Sequence, residues 1–195
     1  MKNHIQNYFN QTRNTIKKID FKKIEKLVIS ISHIKENKGR IFFLGVGGSA
    51  GNCSHAVNDF RKLCDIECYG PTDNVSELTA RINDDGWDTS ILNWLKISKI
   101  NEKDAIFIFS VGGGNKKANV SVNLIKAIDF AIERKTMVLG IVGKKNGYTY
   151  LKGDTVIYIP QTDKRLITPL SESFQSIIWH CLVSHPKLQI RLTKW

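Results

Sequence analysis

The residues between Ile41 and Phe60, IFFLGVGGSAGNCSHAVNDF, concentrate the chemistry of this chain. An apolar run, Ile41 to Leu44, is followed at once by Gly45, Gly47, Gly48 and Ser49, and then by a stretch that reads as a helix. Strand, glycine turn and helix N-terminus together hold an anion. Glycines let the backbone come close, and the free N–H groups of the first helical turn point at the ligand. His55 and Asp59 follow, four residues apart and therefore on one helical face. An anion cradle beside an imidazole–carboxylate pair suits chemistry on a phosphorylated small molecule.

A second glycine loop, SVGGGNKKANV from Ser110 to Val120, also follows an apolar run. Ser110, the backbone of Gly112 to Gly114 and Asn115 are candidates for binding phosphate oxygens. Lys116 and Lys117 either add charge to that site or form a solvated face. Neither loop has the GxxxxGK[ST] pattern of a P-loop, and neither continues as a GxGxxG dinucleotide fingerprint. A third segment, TPLSESFQSIIWH from Thr168 to His180, carries Pro169 and Ser171 as helix-start residues. Glu172 and His180 lie eight residues apart, close to two turns, and so share one side of that helix. A histidine beside Trp179 also reads as a core or surface residue. Its pairing with Glu172, opposite His55 and Asp59 on another helix, makes it a candidate for the site.

These residues need elements to position them. Ile16, Ile19, Ile24, Leu27, Val28 and Ile31 recur at near-helical spacing, which predicts one or two helices over about 3–38, ending near Asn37-Lys38-Gly39. Strands are expected at Ile41–Leu44, Ile66–Tyr69, Ala105–Ser110, Met137–Val142 and Thr155–Ile159. Helices are expected at Ser49–Leu63, Trp87–Ser98, Asn119–Arg134 and Ser171–Ser184. Continuous apolar strands alternating with helices predict an α/β fold with a parallel sheet covered on both faces. Ligands of such sheets bind outside the carboxyl ends of the strands, where both glycine loops fall. A single domain over 1–195 is expected, with its α/β core at about 40–185. The N-terminal helical segment lies outside that core, so Ile16, Ile19, Ile24 and Leu27 are expected to need a partner surface.

Composition narrows the class. Of the 195 residues 42% are hydrophobic and 24% charged, the balance of a globular domain rather than a disordered chain. The apolar runs are too short to cross a bilayer, and the polar N-terminus lacks a signal-peptide core, so a cytoplasmic protein without membrane partners is expected. The four cysteines show no CxxC spacing and are expected to be reduced thiols. The net charge of +11 raises nucleic acid as a partner. The basic residues are scattered, however, and neither an RNP-type aromatic motif nor zinc-finger spacing accompanies them. No nucleic-acid role is expected; the charge favours anionic metabolites.

GVGGSAGNCSHAVND resembles the opening motif of the sugar isomerase (SIS) domain, specifically of the phosphoheptose isomerases, whose usual form is GNGGS followed by a helix with a histidine and an acidic residue. NDDGW, Asn83 to Trp87, is similar to that family's ND-x-G-aromatic segment. SVGGGN stands where the family has a serine-rich STSGNS phosphate loop, and TPLSES…H aligns without gaps to TPRIQE…H. The resemblance covers about residues 15–185. It implies a doubly wound five-stranded parallel sheet and a homotetramer with active sites where subunits meet. It implies interconversion of sedoheptulose 7-phosphate and D-glycero-D-manno-heptose 7-phosphate, a reaction of surface-polysaccharide heptose synthesis, often with zinc. By this resemblance the metal positions are His55, Asp59, Glu172 and His180, with Asp59 the catalytic base and His180 the acid. The substrate and phosphate positions are Gly48, Ser49, Asn83, Asp84, Ser110, Gly112, Gly113, Asn115, Thr168 and Glu172. The chain departs from the pattern at several of them. The family's glutamate is Asp59, its glutamine is Glu172, and the arginine before it is Leu170. Most phosphate-loop serines are lost, and two residues are inserted around Lys116-Lys117. A sugar-phosphate isomerase of altered substrate choice and a non-catalytic sugar-phosphate-binding protein are the other readings.

Overall fold

The computed structural model describes residues 2–161 and 163–192. Five strands build one parallel sheet: β1 (Ile41–Leu44), β2 (Cys68–Tyr69), β3 (Ala105–Ser110), β4 (Met137–Val142) and β5 (Thr155–Tyr158), in the order β2-β1-β3-β4-β5. Every residue of β1 and β3 is buried, which is why both read as unbroken apolar runs. The register sets Phe42 beside Ile106 and Phe43 beside Phe107. Successive side chains point to opposite faces, so the sheet feeds two cores. Phe43, Phe107 and Phe109 pack with Leu27, Ile31, Phe60, Phe174 and Trp179 on one side. Phe42, Ile106 and Ile108 pack with Ile91, Leu95, Leu124 and Ile128 on the other.

The helices follow: α1 (Lys2–Lys18), α2 (Phe21–Glu36), α3 (Gly48–Cys64), α4 (Val75–Asp85), α5 (Trp87–Ile97), α6 (Val122–Glu133), α7 (Tyr148–Lys152) and α8 (Ile167–Val183). The α/β doubly wound sheet expected from the sequence is the one present. Helices α2, α3 and α8 cover one face, and α5 and α6 the other. The strand order reverses between β1 and β3, and the turns that follow these two strands are the two glycine loops. A ligand crevice forms at such a switch point.

Several boundaries differ from expectation. Helix α6 begins at Val122, not Asn119. Asn115 and Val120 exchange backbone hydrogen bonds in a tight hairpin, and Asn119 and Ser121 take left-handed φ values of 51° and 52°, which no α-helix accommodates. The second glycine loop therefore does not open directly into a helix. Helix α8 starts four residues before Ser171, entered through a 3-10 turn at Lys164–Leu166. Helix α4 was not foreseen, because none of its residues is buried and no apolar stripe marks it; Asn74 caps it by accepting from the Glu77 N–H. Leu27, expected on an open face, is wholly buried against the chain's own core. Ile16 remains 46% exposed, and Phe21, at the start of α2, 63%.

One ion pair ties the starts of the two central strands. Asp104, directly before β3, accepts from Nη2 of Arg40 at 2.7 Å, from Nε at 3.2 Å and from the Arg40 N–H at 2.9 Å, and it also accepts from the Asn101 N–H and side-chain amide. Arg40 directly precedes β1, and Asp104 raises its pKa further through these bonds. Asp104 is 2% exposed, so its removal leaves several donors unpaired in a dry environment. Asp104→Ala is expected to destabilise the fold by about 3 kcal/mol, measured by urea denaturation, with the β1–β3 switch point loosened as a result.

Candidate active site

The turn after β1 takes its shape from its glycines. Gly47, which precedes the first residue of α3, has φ 64° and ψ −131°, a conformation that side chains other than hydrogen avoid. A Cβ at Gly45 would stand 2.7 Å from the Ser49 carbonyl group. A Cβ at Gly48 would stand 2.7 Å from both carboxylate oxygens of Glu172. The positive end of α3 is thus faced by an acid from α8. Ser49 is 1% exposed, and its hydroxyl accepts from Nε2 of Gln175 at 3.1 Å. Oε1 of Gln175 accepts from Asn52 at 2.8 Å, and the same Asn52 amide donates to the Glu172 carbonyl at 3.0 Å. This chain of bonds fixes the first turns of α3 against the middle of α8.

Farther along the same two helices, three ionisable side chains meet. Oδ2 of Asp59 lies 3.4 Å from Nε2 of His55 and 3.5 Å from Nε2 of His180. His55 and Asp59 come from one face of α3, and His180 comes from α8. Asp59 is mostly buried, its side chain 11% exposed, while the two imidazoles are about half exposed. Trp179 donates its indole N–H to Oδ2 at 3.0 Å, and the Asn58 amide donates to Oδ1 at 3.0 Å. Nδ1 of His180 stands 2.9 Å from the Ser176 carbonyl, which only accepts. In the neutral ring Nδ1 therefore carries the proton, and Nε2 turns its lone pair toward Asp59.

These atoms fit a divalent metal. One ligand atom from each of His55, Asp59 and His180 lies within 4.8 Å of the others. Ligands at ~2.1 Å around a tetrahedral ion stand about 3.4 Å apart, close to the separations between Asp59 and the imidazoles. Three protein ligands leave the open position that a reacting molecule needs. The Ser176 carbonyl behind His180 and the indole behind Asp59 are the outer partners that orient such ligands. Glu172, the fourth expected ligand, is not in this group. Its carboxylate faces Gly48 at the start of α3 instead.

The second glycine loop sits beside the first. Ser110, mostly buried, accepts the Gly113 N–H at 2.9 Å. Gly113 and Gly114 have φ values of 71° and 83°, and their carbonyls accept from the N–H groups of Thr149 and Tyr148 in α7. Gly112 has open space where a Cβ would be. Oδ1 of Asn115 accepts from the Ala118 N–H, closing the hairpin. Lys116 is held outside the loop, 3.2 Å from Asp129 and over the ring of Tyr148, whose hydroxyl also bonds Asp129.

Comparison with known proteins identifies the family and the fold. The SIS domain family matches residues 7–143. The chain belongs to the SIS domain family. The lincomycin biosynthesis protein LmbN of Streptomyces lincolnensis is 31% identical over 160 residues, 75% of this chain and 56% of that protein; the chain thus spans little more than half of that relative. The phosphoheptose isomerase of Aneurinibacillus thermoaerophilus is 25% identical over 188 residues, 93% of this chain and 89% of the relative. The structure of phosphoheptose isomerase GmhA from Neisseria gonorrhoeae superposes with a TM-score of 0.80 at 19% identity, covering 93% of this chain and 96% of that one, which shows a common fold.

Within this SIS domain the expected site residues fall into separate groups. His55, Asp59 and His180 converge. Gly48, Ser49 and Glu172 gather at the α3 N-terminus, and Ser110, Gly112, Gly113 and Asn115 shape the second loop. Thr168 is exposed in the first turn of α8. Asn83 and Asp84 are exposed at the end of α4, where the Asn83 amide donates to the Asp84 carboxylate at 2.8 Å. Gln175, Asn52 and Trp179 join the site without being among the residues that the sequence motifs assign to it. A polar residue such as Gln175 inside an otherwise apolar helical face was the available signal. Burial pushes the Cys64 thiol up to about 11 and raises Cys53 and Cys68 as well, while Cys181 is exposed. Ser49→Ala is expected to cost about 1–3 kcal/mol of stability, because Gln175 keeps a buried donor without its acceptor; a shift in the denaturation midpoint measures this, and an unchanged midpoint contradicts the bridging role.

Proposed function

We propose that this SIS domain is an aldose–ketose isomerase that interconverts sedoheptulose 7-phosphate and D-glycero-D-manno-heptose 7-phosphate, for surface-polysaccharide heptose synthesis. The observation that carries this reading is the convergence of His55, Asp59 and His180 beside two glycine loops at the switch point of the sheet. Isomerisation removes a proton from the carbon next to the carbonyl and returns one to the neighbouring carbon, while protons move between the two oxygens. Asp59 is the base; its carboxylate is held by the indole and the Asn58 amide, so no solvent reorganisation is needed before it accepts a proton. His180 is the acid: Nδ1 is anchored on the Ser176 carbonyl, so the proton it donates is one taken up at Nε2, and this acid–base role of Asp59 and His180 competes with metal ligation by the same atoms. The glycine loops, with Ser110, Gly112, Gly113 and Asn115, hold the phosphate, assisted by Gly48, Ser49 and Thr168. Asn83 and Asp84 are assigned to the sugar end.

His55, Asp59 and His180 would hold a zinc ion. Such an ion supplies polarisation of the substrate carbonyl. Glu172, facing the α3 N-terminus, and the loss of loop hydroxyls favour a second reading: the same isomerisation on a different sugar phosphate. The active form is proposed to be a cytoplasmic homotetramer. Ile16 of α1, Phe21 and Ile24 of α2, and Ile177, Ile178 and Cys181 of α8 line an apolar groove of about 420 Å³, and a second copy of the chain would cover it. None of the described helices is long and apolar enough to cross a membrane.

Incubation with sedoheptulose 7-phosphate, followed by NMR, is expected to show the aldose product; absence of conversion by zinc-loaded protein overturns the heptose assignment. Asp59→Asn is expected to abolish turnover, by a factor of at least 100, and to lower the zinc content of the purified protein. Full activity after chelation would remove the metal from the reaction. In light scattering the protein is expected near four times its 22.1 kDa chain mass, and a monomer at micromolar concentration contradicts the tetramer.

A further inference from the structure

Trp179 is 1% exposed, and three rings surround its indole. Phe109 stacks on it at 5.9 Å between centroids, His55 lies at 5.3 Å and His180 at 4.8 Å. Its one polar atom, the indole N–H, has donor capacity only and must find an acceptor when buried. The acceptor it has is Oδ2 of Asp59, at 3.0 Å. That oxygen is also the one that faces Nε2 of both imidazoles. A single side chain therefore touches all three members of the ionisable group.

We propose that Trp179 is the positioning residue of the His55–Asp59–His180 group, setting the carboxylate by its N–H and packing its ring against both imidazoles. The inference rests on the isomerase and zinc reading above. Rotation of the Asp59 carboxylate about its Cβ–Cγ bond would take Oδ2 away from the imidazoles it now faces. Asn58 holds only the other oxygen, Oδ1, from the neighbouring position in the chain. The indole reaches Oδ2 from the opposite helix and is itself clamped by Phe109 of β3. It thereby transmits the rigidity of the central sheet to the reacting group. His180 has a second tether in the Ser176 carbonyl, so the geometry of His55 and Asp59 depends on the indole more heavily than that of His180.

A purely structural role for Trp179 would be met equally well by another buried aromatic ring. Trp179→Phe keeps a ring and removes the donor. Zinc affinity is measured by competition with a chromophoric chelator, and kcat and KM are measured on sedoheptulose 7-phosphate. Folding is checked by circular dichroism. The expected result is a folded protein with zinc affinity lowered 10- to 100-fold, the range for loss of an outer partner of a metal ligand, and with kcat reduced at a KM close to wild type. Unchanged zinc affinity together with unchanged kcat overturns the proposal. Wild-type protein that turns over substrate without taking up zinc overturns the metal reading alone, and the kcat of Trp179→Phe then decides. Wild-type protein that binds zinc but leaves the heptose phosphate unchanged overturns the substrate reading alone, and zinc affinity decides. Wild-type protein that does neither overturns the proposal together with the reading beneath it. If Trp179→Phe does not fold, benzothienylalanine at position 179, which has sulfur in place of the N–H in nearly the same shape, replaces it in the same measurements.

Discussion

Between α3 and α8, Ser49, Asn52, Asp59, Gln175 and the indole of Trp179 meet where little water reaches, and each has a polar atom that must be partnered. A buried donor or acceptor left alone costs about 1–3 kcal/mol. Ser49 is paired to Gln175, Gln175 to Asn52, and Asp59 to Trp179. Because each bond crosses from one helix to the other, the two helices have one mutual register in which all are satisfied. That register brings His180 of α8 to Asp59 of α3, and Glu172 to Gly48. The chemistry of the site is a consequence of this seam.

The seam depends in turn on the sheet beneath it. Phe43, Phe107 and Phe109 of β1 and β3 form the apolar floor on which α3 and α8 rest, with Phe60, Phe174 and Trp179 packed down onto it. Dispersion and burial supply the energy for this layer without specifying a sliding position, since apolar contact is not directional. The polar bonds supply the position. Arg40 and Asp104 do the same work at the other end of the strands, where they tie the start of β1 to the start of β3.

The placement of charge follows the same logic. Asp59 is the buried member of its group and the imidazoles are its exposed members, so the carboxylate is held while the histidines face the solvent side of the cleft. Glu172 offers its charge to the first turn of α3, where backbone N–H groups point outward. Lys116 is neutralised by Asp129 beside Tyr148, away from the loop backbone.

The sequence by itself determined the sheet, the two glycine turns and the same-face pair on α3. Unbroken apolar runs such as AIFIFS leave little choice but a strand buried on both faces, and Gly47 is legible because no other residue takes its backbone angles at low cost. His55 and Asp59 are related by a spacing that any helix converts into proximity. The place of Glu172 was not legible in this way, because spacing within α8 does not say which part of α3 its carboxylate meets, and in the structure that is Gly48. Helix α4 was invisible because a helix with no buried residue leaves no apolar stripe. The start of α6 was misplaced because the left-handed conformations of Asn119 and Ser121 are imposed by a hairpin, not by residue type. Only the tertiary structure decided that Gln175 closes on Ser49 and that the indole of Trp179 ends on Asp59. These are contacts over more than a hundred residues, fixed by how two helices settle on a sheet and by the need to pair every polar atom they bury.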